Sequence, residues 1–361
     1  TTNTLDSITV SDCTLDPVFN SATAEYSCKV PNNVSSVTVN ATATSSKSKV
    51  RGLGAKDLVE GKNTLPIRVI AEDGNEKIYN VNVTRKAGAT SLKNEIMKNK
   101  IITAEPTLTT SSNNSSDASG LYKSTDTNTG NPTYYFRGNV ENNYVSFAGQ
   151  IWRIVRINED GTIRLITQNR INSTSYKFNS IINNYTYMYY SNSQAKTQLE
   201  SWYQTNIGSK SDLAQNVVSG DYYCEQAKVK ESSSILSGNA TMTVYNKYTP
   251  DFKCTTDSNG KGIVNASVGL LSYDEVVYAG GYPNQENNNY YLNNPDIHWW
   301  TMSPNGFISE FSYSSVWVIT DKGKANYECV NMNNGFRVVL VLKSDTMTTG
   351  TGTSSDPFVV E

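Results

Sequence analysis

The sequence predicts a chain of two folding units, an all-β sandwich followed by an α+β domain. Residues 1–86 contain short runs of alternating apolar and polar residues separated by polar turns, a pattern typical of a sandwich. Residues 131–361 add two segments with apolar residues at helical spacing to further strands, which indicates an α+β domain. A length of 361 residues is sufficient for two such units, and residues 87–130 would connect them.

The composition favours an extracellular protein with a polar but weakly charged surface. Charged residues make up 18% of the chain, below the usual proportion of about a quarter, and 23 Tyr stand against 1 His. The net charge of −2 comes without a basic run, which argues against nucleic acid as a partner. No apolar run approaches the roughly 20 residues of a membrane span, and residues 1–4 do not form a signal peptide. We therefore expect an export signal and a membrane or cell-wall anchor to lie outside this sequence.

The five cysteines favour disulfide bonds over a metal site. No Cys-x-x-Cys pair is present, and the single His argues against most mixed zinc sites. Exported chains meet an oxidising medium, and two cysteine pairs each bracket one structural unit. We expect disulfides Cys13–Cys28 and Cys224–Cys254 with Cys329 reduced, and we expect no metal and no cofactor. A metal or catalytic role for these cysteines is the alternative interpretation.

Residues 1–86 form the predicted sandwich. Alternating apolar positions run through residues 5–10, 37–41, 65–70 and 79–83, with polar turns between them. The segment resembles the cadherin-like β-sandwich domain of bacterial surface proteins. The matching residues include Leu15-x-Pro17-x-Phe19, Val50-x-Gly52-x-Gly54, Ala71-Glu72-Asp73-Gly74 and Tyr79-x-Val81-x-Val83-x-Arg85. The resemblance implies a spacer or presentation module, and calcium binding is not expected because the calcium motifs of cadherins are not visible.

The connection begins with a short predicted helix and continues as a polar segment. Ser91 is a candidate N-cap for a helix that carries Leu92, Ile96 and Met97 on one side. Residues 107–130 are almost entirely Ser, Thr, Asn, Asp and Gly, which predicts a loop with little regular structure. Leu121 and Tyr122 within it suggest that the loop lies across the next domain and is not a free linker.

The second unit contains one strong hairpin signal and two predicted helices. Residues 151–157 and 162–166 would pair across an Asp-Gly turn. A helix capped by Ser193 would pack through Ala195, Leu199, Trp202 and Tyr203, and another would follow Ser272. Between the helices, residues 217–263 form an insertion that we expect the Cys224–Cys254 disulfide to hold.

The end of the chain resembles the C-type-lectin-like fold in its bacterial branch, which includes the formylglycine-generating-enzyme-like domains. The residues concerned are 298–304, 316–323 and the Gly335-Phe336-Arg337 strand at 335–342. Residues 90–361 also resemble an uncharacterised extracellular domain of Gram-positive gut bacteria, through residues 134–138, 151–157, 199–202, 270–275 and 299–304. Formylglycine-generating enzymes use a pair of cysteines in this core. Because this chain has only Cys329 there, we expect no such enzyme activity.

Aromatic residues near two predicted loops are candidates for sugar binding. Aromatic rings stack on the C–H face of a sugar while amides and carboxylates bond its hydroxyls. The candidate stacking residues are Phe307, Phe311, Tyr313 and Tyr290, and the candidate hydroxyl partners are Glu310, Asn284, Glu286 and Asn289. They lie on the predicted long loop at residues 304–315 and on the loop at residues 280–291. The alternative is that these aromatic residues belong to the core, as we expect for Trp300 and Trp317.

His298 is the remaining residue with a possible chemical role. As an acid–base group it would need a nucleophile or carboxylate at a motif spacing, and the sequence shows none. A structural histidine at the start of a strand is therefore the expectation, and we predict no catalytic residues.

Together these observations predict the extracellular part of an adhesin-like protein on a Gram-positive-type bacterium. A sandwich would present a lectin-like domain that binds a glycan or a host surface protein without catalysis. A structural role in the cell envelope is the second hypothesis, and an enzyme of formylglycine-generating-like fold is the third.

Overall fold

The computed structural model describes residues 2–108, 117–172, 175–225, 250–254, 262–283, 285–308 and 313–361. The chain forms two compact units, Thr1–Ala89 and Thr90–Glu361. Strand accounts for 42% of the described residues and helix for 12%, so the part of the protein that the structure describes is mostly β. Among the described residues, no helix combines the length and the apolar character needed to cross a membrane.

The first unit is a β-sandwich, as predicted. The strands are β1 (Leu5–Val10), β2 (Glu25–Val30), β3 (Ser36–Ala43), β4 (Lys49–Arg51), β5 (Gly54–Asp57), β6 (Gly61–Ile70) and β7 (Glu76–Arg85). One sheet has the order β1-β3-β5 and the other β2-β7-β6-β4. Alternate residues of β2 and β7 are buried, because the pleat directs successive side chains to opposite faces. The sequence alternation therefore becomes the core between the two sheets.

The second unit contains eighteen described strands and four described α-helices. The helices are α1 (Leu92–Met97), α2 (Gln194–Tyr203), α3 (Ser211–Ala214) and α4 (Tyr273–Ala279), with 3-10 turns at Tyr185–Met188 and Tyr190–Asn192 and a π-helical turn at Gln204–Gly208. The strands are β8 (Thr90–Ser91), β9 (Ile101–Ile102), β10 (Gly120–Ser124), β11 (Thr133–Arg137), β12 (Tyr144–Phe147), β13 (Gln150–Ile157), β14 (Ile163–Thr167), β15 (Tyr176–Lys177), β16 (Gly220–Cys224), β17 (Ile263–Ala266), β18 (Tyr282–Pro283), β19 (Trp299–Ile308), β20 (Tyr313–Ile319), β21 (Lys324–Cys329), β22 (Asn333–Asn334), β23 (Val339–Leu342), β24 (Met347–Thr349) and β25 (Phe358–Val360).

A ten-stranded sheet joins the two ends of the second unit. Its main path is β8-β24-β25-β12-β13-β11-β10-β9, and β14 pairs with β13 and β23. The predicted hairpin is confirmed as β13 and β14. Strands β18-β21-β20-β19 form a separate four-stranded sheet, while β15 pairs with β22 and β16 with β17. The strands β8 at the start and β24 and β25 at the end therefore close one structural unit.

The two predicted serine caps, Ser91 and Ser193, are confirmed, and Ser272, which was predicted only to precede a helix, is a third cap. The side-chain oxygens of Ser91, Ser193 and Ser272 accept backbone N–H groups at the starts of α1, α2 and α4. Ser272 and Glu275 form a full capping box, in which the Glu275 carboxylate also accepts the Ser272 backbone N–H.

Two segments that the sequence predicts to be loops contain strands instead, within the described residues. Within the segment 107–130, residues Gly120–Ser124 form β10, which pairs with β11 and β9. Leu121 and Tyr122 are buried there. Their burial favours a strand although most of the residues around them are polar. Residues 304–308 and 313–315, expected in a long loop, instead extend β19 and β20 as an antiparallel pair.

The core of the second unit includes a buried ionic network. The Glu275 carboxylate lies 2.6 Å from the Arg164 guanidinium and 3.2 Å from that of Arg156. Burial by itself would raise the pKa of Glu275. The two guanidinium groups and the Ser272 N–H outweigh burial and lower that pKa below its ordinary value. Glu275 is therefore ionised at neutral pH and joins α4 to the strand pair β13–β14.

Candidate functional site

An open groove of about 490 Å³ lies between α2 and the segments around β15 and β22. This size falls within the range of roughly 300–1,000 Å³ typical of small-molecule sites. We call it the aromatic groove, and its lining residues are Ile171, Asn172, Tyr176, Thr197, Gln198, Ser201, Trp202, Thr205, Asn206 and Phe336.

One wall of the aromatic groove is built by two rows of residues spaced four apart. Thr197, Ser201 and Thr205 form one row, and Gln198, Trp202 and Asn206 form the other. Residues four apart lie on the same face of a helix, so α2 presents hydroxyl and amide groups along the groove. Ala195, Leu199 and Tyr203 are buried on the other face of α2. The helix therefore separates a core face from a groove face.

The end of this wall is fixed by side-chain hydrogen bonds to the backbone. The Thr205 hydroxyl donates to the Ser201 carbonyl at 2.9 Å, and the Asn206 amide donates to the Trp202 carbonyl at 2.8 Å. These bonds lie where α2 passes into the π-helical turn Gln204–Gly208. They satisfy carbonyls at the helix end and hold both side chains in place.

The opposite wall presents Tyr176 on a rigid base. The Tyr176 ring stacks on buried Phe336, with centroids 5.3 Å apart and an interplanar angle of 9°. The Asn172 amide donates to the Tyr176 hydroxyl at 2.9 Å. The indole N–H of Trp300 donates to the Tyr176 backbone carbonyl, also at 2.9 Å. The ring is therefore positioned before any ligand arrives, which reduces the entropy cost of binding.

Trp202 is anchored from below. Its ring meets that of fully buried Trp152 at an interplanar angle of 62°, with centroids 6.3 Å apart. The Trp152 indole N–H donates to the Phe147 carbonyl at 2.9 Å, which fixes that supporting ring. Trp202 itself is only partly buried. The helical spacing predicts Trp202 on the packing face of α2, whereas in the structure it lies at the border between that face and the groove.

The chemistry of the aromatic groove suits an uncharged, hydroxyl-rich ligand. Tyr and Trp rings offer apolar faces with polar edges, while amides both donate and accept hydrogen bonds. Within the part of the chain that the structure describes, the lining includes no Asp, Glu, Lys, Arg or His. The groove can therefore bind through ring contacts and neutral hydrogen bonds.

The described residues also line two other cavities. A cavity of about 510 Å³ combines apolar Ile101 and Ile102 with charged Glu105, Lys123 and Asp126 beside buried Tyr135. A second cavity, above the Arg156–Glu275 pair, has a volume of only about 40 Å³. That volume admits a few water molecules at most, since each needs roughly 10–15 Å³.

Two of the predicted stacking residues belong to the core. Tyr290 is 3% exposed and Phe307 9%, and both pack in the main apolar cluster. The Tyr290 hydroxyl donates to the Gly323 carbonyl at 3.2 Å. Phe307 lies within β19, which replaces the expected loop. The expectation that these two rings face solvent is wrong.

Three of the other predicted ligand-binding residues lie within the described part of the chain. Glu286 is exposed and pairs with Lys322 at 3.1 Å, and Asn289 is exposed beside Asn287. Tyr313 is half-buried, and burial raises the pKa of its hydroxyl. Asn284, Glu310 and Phe311 lie outside the described residues. A ligand-binding role for the described Glu286, Asn289 and Tyr313 stays a prediction.

His298 has carboxylate neighbours that the sequence did not reveal. Its Nδ1 lies 3.1 Å from a Glu328 oxygen and its Nε2 lies 3.4 Å from an Asp321 oxygen. The Asn334 amide donates to the second Glu328 oxygen at 2.8 Å. His298 directly precedes β19, which pairs with β20, and β20 pairs with β21, so the sheet brings these residues together. The described contacts therefore place the His298 ring beside two carboxylates, with a hydrogen bond to Glu328.

The cysteines form two disulfides in the structure. Cys13 bonds to Cys28 and Cys224 bonds to Cys254, each pair with Cα atoms 5.7 Å apart. Cys329 is free and buried. No cluster of three or more His, Cys, Asp and Glu side chains suitable for a metal ion occurs among the described residues.

Comparison with known families finds two matches, one in each unit of the chain. Residues 5–86 match the cadherin-like beta sandwich domain. Residues 161–344, slightly more than half of the chain, match a domain of unknown function, DUF6273. Every residue that lines the aromatic groove lies within this second match. No curated protein matches the sequence. The chain belongs to the DUF6273 family and carries a cadherin-like β-sandwich domain before that region.

Proposed function

We propose that this chain is the extracellular part of a surface protein of a Gram-positive-type bacterium and that its second unit binds carbohydrate without catalysis. A cadherin-like domain suggests a protein of the surface or adhesion type. Two disulfides are consistent with an extracellular location. In this proposal the sandwich is a spacer.

The aromatic groove carries the proposal. It combines a pre-positioned tyrosine ring and an anchored tryptophan with rows of amide and hydroxyl side chains. Carbohydrates present apolar C–H faces and many hydroxyl groups, so they match both parts of this lining. The proposed site therefore differs from the loop residues expected from the sequence alone.

We also propose that the second unit is related to the C-type-lectin-like fold. Helices α2 and α4 accompany a β-rich core, and the Gly335-Phe336-Arg337 segment leads into the buried strand β23. Phe336 from this segment forms the base under Tyr176. A lectin-like relationship would explain why this part of the chain supports a binding groove.

A glycan array comparing the parent with Trp202→Ala tests the proposed function. We expect the parent to bind a subset of glycans with millimolar affinity, about 4 kcal/mol per site. Loss of the Trp202 ring contact should weaken binding about tenfold, which corresponds to about 1.4 kcal/mol. Display of several copies on beads would raise the signal through avidity.

Tyr327→Ala is the matched control, because Tyr327 is an exposed aromatic residue outside the aromatic groove. Its binding should equal that of the parent. Loss of binding in Tyr313→Ala with retention in Trp202→Ala would place the site at the loop residues predicted from the sequence. A parent that binds nothing on a broad array would favour a structural role in the cell envelope.

A further inference from the structure

We infer that the aromatic groove selects uncharged sugars, neutral hexose or N-acetylhexosamine units, over sugars that carry a carboxylate such as sialic acid or uronic acids. This inference rests on the proposed function and specifies its ligand class. Its basis is the charge distribution around the described lining.

The lining supplies neutral groups only. Seven of its residues carry hydroxyl or amide groups, and the remaining three are apolar or aromatic: the first set is Thr197, Ser201, Thr205, Gln198, Asn206, Asn172 and Tyr176, and the second is Ile171, Trp202 and Phe336. An amide can donate to one sugar hydroxyl and accept from another, so no charge is needed for pairing. The same amides can pair with an N-acetyl group, whose methyl would contact a ring.

The charged residues of α2 are engaged away from this lining. Lys196 lies 3.8 Å from Glu200 as an i,i+4 ion pair. The Glu200 carboxylate also accepts the Ser267 backbone N–H at 2.9 Å. Neither residue lines the groove. A bound carboxylate would therefore find no cation on the helical wall.

On the opposite wall, Lys177 follows Tyr176 in β15 and is exposed. Successive side chains of a strand point to opposite sides, and Lys177 is not among the residues that line the groove. Arg170 precedes Ile171 and likewise does not line it. Among the described lining residues, a carboxylate in the groove would find no cation for an ion pair, so any hydration that it loses there would not be compensated by such a pair. A neutral sugar exchanges water for amide and hydroxyl partners at little cost.

The inference is tested with matched pairs of glycans on the same array: neutral lactosamine chains with and without terminal sialic acid, and neutral glucans beside polyuronates. We expect at least about tenfold preference for the neutral member of each pair. Binding should change little between about 0.05 and 0.5 M NaCl, because no charge pair contributes. Equal or tighter binding of the acidic members, or a steep loss of binding with salt, would overturn the inference.

Two variants sharpen the test. Gln198→Arg places a cation in the lining and should raise binding of the acidic glycans relative to the parent. Lys177→Gln removes a nearby cation outside the lining and should leave the neutral-to-acidic ratio unchanged. A fall in acidic binding in Lys177→Gln would show that the lysine serves the site and would contradict the inference.

Failure of the inference and failure of the proposed function give different results. If acidic glycans bind the parent but not Trp202→Ala, the groove is confirmed as the binding site. Only the selectivity for neutral sugars is then refuted. A parent that binds no glycan would overturn the proposed function and this inference together.

Discussion

The two units of this protein have different kinds of core. In the sandwich, the described buried residues are all apolar, from Leu5 to Val83. In the second unit, Arg137, Arg153, Arg164, Arg337 and Glu275 are buried as well. An apolar core needs only the correct alternation of residues, whereas buried charges need specific partners. The fold of the sandwich is therefore specified by its alternation of apolar and polar residues. The fold of the second unit is specified by the pairing of buried charged groups with partners elsewhere in the chain.

The buried arginines of the second unit link separate segments of the chain, some of them far apart in sequence and some neighbouring. Arg337 donates to the carbonyls of Thr167 and Leu292, at 2.9 and 2.6 Å. Arg153 donates to the Asn143 side chain at 2.6 Å and to the Val140 carbonyl at 2.7 Å. These bonds fix one arrangement of the strands. Because Phe336 is next to Arg337, they also hold Phe336 in place in the wall of the aromatic groove.

The largest effect is expected from Glu275→Gln. The variant leaves Arg164 and Arg156 buried without their carboxylate, and breaking a buried pair costs about 3–5 kcal/mol. The second unit should lose that stability while the sandwich does not. Hydrogen exchange of the full chain, read by mass spectrometry, measures both units at once.

Glu286→Gln is the control for this prediction. Glu286 pairs with Lys322, but both side chains are more than half exposed, so the pair contributes little. We expect exchange in both units to match the parent. Equal destabilisation of the two units by Glu275→Gln would contradict the contrast between the cores.

The next largest effect concerns the sandwich. Its disulfide closes a loop of 15 residues, which stabilises the fold by about 3 kcal/mol. The paired variant Cys13→Ser/Cys28→Ser should lower the free energy of unfolding of the first unit by about this amount. Denaturant titration followed by hydrogen exchange locates the loss. A variant that instead destabilises the second unit would show that the two units are not independent.

A smaller, graded effect is expected from acid. The folded-state pKa of Glu275 is below its ordinary value of about 4.5, so the unfolded chain binds this proton more readily. The stabilisation is fully present above that value and is lost as pH falls through the lower folded pKa. Stability of the second unit should therefore fall below about pH 4.5, and Glu275→Gln should remove part of this dependence. An unchanged acid profile in the variant would contradict a role for Glu275.

The smallest effect is expected at a helix cap. Ser193 accepts the Lys196 backbone N–H at 3.0 Å at the start of α2. Ser193→Ala should cost about 1 kcal/mol in the second unit. Thermal unfolding measures this loss, which should be well below that of Glu275→Gln. A loss of several kcal/mol would mean that the cap has a role beyond α2.

Local patterns predicted much of the fold, but not the candidate site. The strand alternation of the sandwich, the Asp-Gly hairpin and the serine caps each depend on neighbouring residues, so the sequence alone reveals them. The groove joins α2 to Tyr176 and Phe336, and no local pattern connects those segments. The spacing of four residues between Thr197, Ser201 and Thr205 was the available sequence signal for the groove wall, and it marked the exposed face of α2.

Burial of aromatic residues was the hardest feature to predict. Tyr290 lies in a segment rich in Asn and Gly, which is typical of an exposed loop. In the structure it packs against Gly280 and Gly323, where the absence of side chains leaves room for its ring. Composition describes the average exposure of a segment and does not identify which of its members turns inward.

Carbohydrate binding in the aromatic groove is tested most directly by oxidative footprinting of the full chain with and without a glycan that binds on the array. Trp202 and Tyr176 should lose reactivity when the glycan is present, because it would cover their rings, while exposed Tyr327 keeps its reactivity. Binding with unchanged oxidation of Trp202 and Tyr176 would contradict the proposed site.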